Sequence, residues 1–133
     1  MPKRRQTLSI RLPLYRRPRN AWRAAIHELA SNEQLARGIR YFAADRLEVS
    51  LLLYFDRNAL RFHDVDNRLK DVLDALQGRA GGSKTTRRLS PIIPNDRQIF
   101  RVVVEKAEAP SQSGGLGHLT VRKLSSSKKD RFD

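Results

Sequence analysis

The sequence has no cysteine, one methionine and one tryptophan, and only 14 acidic residues against 27 basic ones. Without cysteine there is no disulfide scaffold, no thiolate metal site and no cysteine nucleophile, and the reducing cytoplasm is the expected compartment. No apolar stretch approaches the ~20 residues that cross a bilayer, so no membrane partner is expected. The basic start of the chain resembles the opening of a signal peptide, but Arg11, Pro13, Arg16 and Arg17 break up any apolar segment after it. A length of 133 residues is short for two ordinary domains. Apolar runs at 49–55 and 99–104, in a chain that is 39% hydrophobic, provide for one modest core.

The scarcity of acid is matched by an excess of arginine. The net charge is 27 − 14 = +13, and 20 of the basic residues are arginine, whose guanidinium fork suits bidentate phosphate contacts. A solubilising surface needs a net charge of only about 2 to 8. Eight basic residues and no acid lie between Met1 and Arg23, and six more surround the single acid Asp96 between Arg79 and Arg101. A polyanion is the natural partner, and a nucleic acid fits better than an anionic membrane.

Along the chain, Leu8, Ile10, Leu12 and Leu14 alternate with polar residues, as in a half-buried strand that ends at Pro13. Asn20 is placed to cap a helix over Ala21–Ala30, with Trp22, Ala25, Ile26 and Leu29 at helical spacing. Ser31 and Gln34 resemble a capping box that restarts a turn reaching Phe42. Residues Leu47–Phe55 read as a central strand covered on both faces. A helix opened by Asp66 or Asn67 carries Leu69, Val72, Leu73 and Leu76 on its core face and stops at Gly78. A basic loop spans 78–94, strands follow at Gln98–Lys106 and His118–Leu124, and residues 125–133 form a polar tail expected to be disordered. The order β-α-β-α-β-β predicts an α+β fold, a small mixed β-sheet with helices packed on it, in a single domain over residues 1–124.

Acids concentrate in one place. Asp64, Asp66, Asp71 and Asp74 fall in a short segment where a loop enters a helix. In an extended backbone Asp64 and Asp66 project to the same side and can share a hard divalent cation. From Asp66, Lys70 and Asp74 follow at successive turns, so the three share a polar stripe opposite the leucines. Carboxylates that hold Mg²⁺ beside an ammonium group are the equipment of phosphodiester hydrolysis. The plain structural alternative is a helix cap with an i, i+4 ion-pair ladder.

The segment Asp64-Val65-Asp66-Asn67-Arg68-Leu69-Lys70-Asp71-Val72-Leu73-Asp74-Ala75-Leu76 resembles the D-x-D-N-x-x-K-x-x-x-D-A-L signature of the RusA family of Holliday-junction resolvases. That family also has an acidic pair followed by a strand ending in lysine, and here Asn95-Asp96 leads into Ile99 and on to Lys106. The likeness extends over most of residues 6–124, but the specific part is the central helix. It implies a dimeric endonuclease that cuts four-way DNA junctions with Mg²⁺, or Mn²⁺, and leaves 5′-phosphate and 3′-hydroxyl ends. Asp64, Asp66 and Asp96 would hold the metal and Lys70 would be the essential lysine. Such a protein would be cytoplasmic and nucleoid-associated. Two departures stand out: Asn95 occupies the place of one acid of the pair, and the loop 78–94 lengthens the spacing to Asp96.

Arg16, Arg17 and Arg19, with Lys84, Arg87 and Arg88 in the loop, are the candidates for gripping DNA. The run Gly78–Thr85 misses a phosphate-binding Walker loop, because Ser83 stands where a glycine is required, and no nucleotide cofactor is expected. His63 adjoins Asp64 but reads as structural; His27 and His118 show no partner in the sequence, and Trp22 reads as core. The rival to a nuclease is a non-catalytic nucleic-acid-binding module whose basic surface does everything.

Overall fold

Strict alternation in Thr7–Leu12 makes the first strand, β1, with Leu8, Ile10 and Leu12 buried and Ser9 and Arg11 exposed. The computed structural model describes residues 6–80, 89–110 and 117–124. After β1 come helix α1 (Arg19–Arg37), strand β2 (Leu47–Phe55), a short 3₁₀ turn (Leu60–Phe62), helix α2 (Val65–Leu76), a second 3₁₀ turn (Asp96–Gln98), and strands β3 (Ile99–Glu108) and β4 (Gly117–Lys123). The α+β class and the β-α-β-α-β-β order are those expected.

The four strands form one sheet in the order β1-β4-β2-β3. β4 runs antiparallel to both β1 and β2, while β2 and β3 are parallel. It follows that β1, β2 and β3 all point the same way, and their carboxyl ends lie at one edge of the molecule. Both helices cover the same face. Trp22, Ile26 and Ala30 of α1 and Val72, Ala75 and Leu76 of α2 join Leu8, Ile10, Leu12, the odd-numbered residues of β2, Leu119 and Val121 in one core.

Among the described residues the opposite face of the sheet carries no helix, which corrects the expectation that β2 is covered on both sides. Glu48 lies buried on that open face because its register partners are cations, Arg101 on β3 and Arg122 on β4, and both pair with it. Gly117 is packed so closely under β2 that a Cβ would stand 2.1 Å from the Leu52 carbonyl oxygen.

The helices differ from expectation at their ends. α1 is one continuous helix from Arg19, with Pro18 at its N-cap position, so Ser31 and Gln34 mark no restart. It stops where Gly38 takes a left-handed conformation, φ 64°. α2 begins at Val65, with Asp64 in the N-cap position but making no side-chain capping bond. Its buried side chains include Val72, Ala75 and Leu76, with Leu69 and Leu73 half-buried. Arg68, Asp71 and Asp74 are buried too, because α2 packs against α1 as well as the sheet. Among the described residues no helix is long and apolar enough to cross a membrane.

Candidate nucleic-acid and metal site

In an open sheet of parallel strands, ligands bind outside the carboxyl ends, where the chain leaves each strand and helix N-termini point. Here that edge gathers the 13–18 segment after β1, the 56–66 segment after β2, and Lys106 near the end of β3. The first segment is held firmly. Trp22 Nε1 donates to the Pro13 carbonyl at 3.0 Å, and Tyr15 packs edge-on against both Trp22 and His63 with the Arg68 guanidinium 4.2 Å from its ring centre. Arg16 and Arg17 stand exposed on this pinned loop, next to the cis Arg17–Pro18 peptide.

The second segment is pinned from two sides. Asp56 Oδ1 accepts from the Ala59 amide at 2.8 Å, and Lys106 Nζ donates to the carbonyls of Leu60 at 2.6 Å and His63 at 2.9 Å. His63 stacks flat on Phe55, with ring centres 4.1 Å apart. Burial lowers its pKa, and the nearby cations Arg68, Lys106 and Arg17 lower it further. Lys106 therefore belongs to this edge, although the sequence presents it only as the end of a strand. The parallel register with β2, Leu53 opposite Lys106, is what carries it there.

Asp64 and Asp66 are both exposed at the N-terminus of α2. Neither makes an ion pair among the described residues. Asp66 is helical rather than extended, so the same-side argument from period-two spacing does not apply to the pair. Lys70 is exposed one turn on and reaches Asp74 at 3.5 Å. Asp74 is not part of a solvent-facing stripe: it is buried and also pairs with Arg23 at 3.2 Å.

Asp71 is the most enclosed charge in the helix, fully buried between α2 and α1. Its Oδ1 accepts from Arg19 and Arg23, each through Nε at 3.0 Å, and Arg68 approaches Oδ2 at 3.4 Å. The Nε of Arg68 and Oδ2 of Asp71 are left without hydrogen-bond partners. The hydrogen bond to Asp71 raises the pKa of Arg19. Of the three expected N-terminal DNA contacts, Arg19 is thus engaged in holding the two helices together, while Arg16 and Arg17 are open.

Asp96 lies elsewhere. It opens the 3₁₀ turn before β3, at the amino end of the parallel pair where Leu47 faces Ile99. The ten residues of β3 put about 30 Å of strand between that end and the edge that holds Asp64 and Asp66. One chain does not bring the three carboxylates together, and no group of three potential metal ligands exists among the described residues. Asn95, in the place of an acid, caps the turn locally. Its Oδ1 accepts from the Arg97 amide at 2.8 Å, and Gln98 Oε1 accepts from the Asn95 amide at 2.9 Å. Gln98 is buried and ties this turn to the carbonyls of Phe42 and Asp45.

Asp64 and Asp66 alone still fit Mg²⁺, which is commonly held through one or two carboxylates, with water and substrate phosphate oxygens completing the shell. The remaining candidates divide simply. His27 Nε2 lies 2.7 Å from the Ser90 carbonyl oxygen, and His118 packs edge-on against Tyr54. Trp22 is core, 1% exposed. Tyr41 is buried with its hydroxyl 2.9 Å from two backbone carbonyls, and burial raises its pKa. Lys84, Arg87, Arg88 and the 125–133 tail lie outside the described residues. No protein-family model and no curated protein matches the chain, so the likeness to RusA resolvases rests on the motif residues themselves.

Proposed function

We propose that this protein is a Mg²⁺- or Mn²⁺-dependent endodeoxyribonuclease that cuts four-way or otherwise branched DNA, acting as a homodimer in recombination or repair. The observation that carries the reading is the company of two exposed, unpaired carboxylates, Asp64 and Asp66, with the exposed cations Arg16, Arg17 and Lys70 at the carboxyl edge. In a chain of net charge +13, Asp71, Asp74, Glu48 and Asp45 are all taken up by arginine or lysine. Glu28, Asp56, Asp96, Glu105 and Glu108 also make no ion pair among the described residues. What sets Asp64 and Asp66 apart is that they stand together, exposed, where α2 begins at the carboxyl edge, a pairing that suits a cation shared with a phosphate.

Arg16 and Arg17 would grip backbone phosphates and set the strand across the edge. Asp64 and Asp66 would hold the metal, which when bound supplies an activated water and offsets charge on the phosphate. Lys70, one turn beyond Asp66, would lend its ammonium to the phosphate oxygens as negative charge develops.

Asp96 enters this reading from a second copy. β3 is an edge strand with Phe100, Val102 and Val103 exposed, the kind of edge that pairs with another chain. Two β3 strands pairing antiparallel about a two-fold axis bring the amino end of one beside the carboxyl end of the other. Asp64 and Asp66 of one protomer then share an edge with Asp96 of the partner subunit.

The test uses a labelled four-way junction with Mg²⁺. Asp66→Asn and Asp96→Asn should each be inactive, yet a mixture of the two should recover nicking, because the mixed dimer retains one intact shared site. A mixture as inactive as its parts would reject the shared site. A wild type that binds junctions but never cuts them would establish the non-catalytic binding module, the reading that the separation of Asp96 within one chain favours.

A further inference from the structure

At the amino edge, opposite Asp64 and Asp66, the last turn of α1 and the segment 90–94 enclose a hollow of about 470 Å³. It lies on the β1 side of the sheet, away from β3. The Arg40 amide and the Tyr41 hydroxyl, both on its wall, bond Gln6 beside β1, and the same hydroxyl bonds Val121 of β4. Leu35, Ile39, Pro91, Ile92 and Pro94 make the lining largely apolar. These walls are fixed. The Ile39 amide donates to the Gln34 carbonyl at 3.0 Å, the Ile92 and Ile93 amides share the Leu76 carbonyl at 2.7 and 3.0 Å, and His27 Nε2 lies 2.7 Å from the Ser90 carbonyl oxygen. Leu35 stands in that lining 81% exposed, the most exposed large apolar side chain among the described residues. Arg40 is the one charged residue of the lining among the described residues, and it makes no ion pair with them. Just beyond it Phe42 is exposed too, with Arg40 and Lys123 each 5.9 Å from its ring centre.

A rigid, concave apolar lining that keeps a leucine in water has the character of a binding site, and the charge around it decides what fits. A second copy of this chain would bring its own +13 against these cations. A nucleic acid binds through a row of phosphate contacts, and one unpaired guanidinium among leucine, isoleucine and proline supplies no such row. A protein segment that mixes carboxylates with large apolar side chains meets both features at once. The net charge of the chain also speeds the approach of an acidic partner. We infer that this hollow docks an acidic, apolar segment of a partner protein. A large apolar side chain enters between Ile39 and Ile92, a second covers Leu35, and a carboxylate meets Arg40 beside Phe42. The inference does not rest on the nuclease reading, because the surface lies at the other edge from Asp64 and Asp66.

The experiment measures binding of the full chain, by fluorescence anisotropy at fixed salt, to three short labelled peptides: one of aspartate and glutamate with leucine and phenylalanine, one with serine in place of the apolar residues, and one with lysine in place of the acids. The first should bind tighter than either of the others by about tenfold or more. Leu35→Ser and Arg40→Gln should each weaken it about tenfold, while binding to a linear DNA duplex stays within about twofold of the wild type. On titrating the first peptide into the wild type, the amide resonances of Leu35, Gly38, Arg40 and Ser90 should shift, a readout that needs no variant. A first peptide that binds no tighter than the serine peptide would overturn the inference, since attraction of charge alone would explain it. So would shifts confined to other residues, or a Leu35→Ser protein that loses DNA and peptide affinity equally, which would give the hollow to nucleic acid. Self-association of the wild type that Leu35→Ser abolishes would give it to a second copy and overturn the inference as well.

Discussion

Four aspartates stand on or beside α2, and its two ends treat them differently. Asp71 and Asp74, in the later turns, are buried and paired with arginines that reach over from α1. Asp64 and Asp66, at the start, are exposed and bare. Arg19 and Arg23 are four residues apart, so they share one face of α1 and converge on one carboxylate oxygen of Asp71. That part of α2 is neutralised by its neighbour, and the N-terminal turn is left to whatever arrives from solution.

The contrast between the two ends can be broken most severely at Asp71. Asp71→Ala would leave three guanidinium groups, two of them largely buried, facing no carboxylate there, and should cost about 3–5 kcal/mol of stability in a urea titration. Asp66→Asn should leave that titration almost unchanged and instead reduce Mg²⁺-dependent junction cutting by at least the ~10–100-fold seen when groups around a metal are altered. Replacing Arg16 and Arg17 together by alanine should lower the slope of log affinity against log salt by about 1.8, two phosphate contacts at ~0.9 each. Arg19→Ala should show up in stability more than in that slope, since its guanidinium is committed to Asp71. The smallest effect belongs to Asp66→Ala, whose stability should stay within about 0.5 kcal/mol of the wild type. A large loss there would mean that the bare carboxylate supports the fold after all.

The two pairs of aspartates also show how much of the molecule is legible in its residues. The long apolar run of strand-like composition marks β2 to the residue, Leu47–Phe55, and the helical spacing of Trp22 and Ile26 identifies the core face of α1. Asp45 and Asp56 each tie down a turn, accepting from the Phe42 and Ala59 amides. What periodicity leaves out is the partner across the gap. Asp71 looks like one more solvated charge until α1 supplies Arg19 and Arg23 from some 50 residues earlier in the chain. Likewise Asp96 looks close to Asp66 along the sequence, but β2, α2 and β3 form a crossover between parallel strands. Such a crossover puts the start of its helix at the carboxyl edge and the approach to its second strand at the opposite one. That signal lies in the order of elements rather than in any motif.

The place of β4 has a consequence for how the sheet is completed. Among the described residues β1 pairs with no strand except β4, Thr7 lying opposite Arg122. Of these four strands the earliest in the chain must therefore wait for the latest, and a chain halted before Gly117 has its α1 and its β2–α2–β3 unit with no β4 ladder to hold β1 beside them. Contacts so distant in sequence slow folding, because a long loop must close before any of them forms. Translation paused just before Gly117, or a tag fused too close to β4, should trap a species in which β1 is still loose.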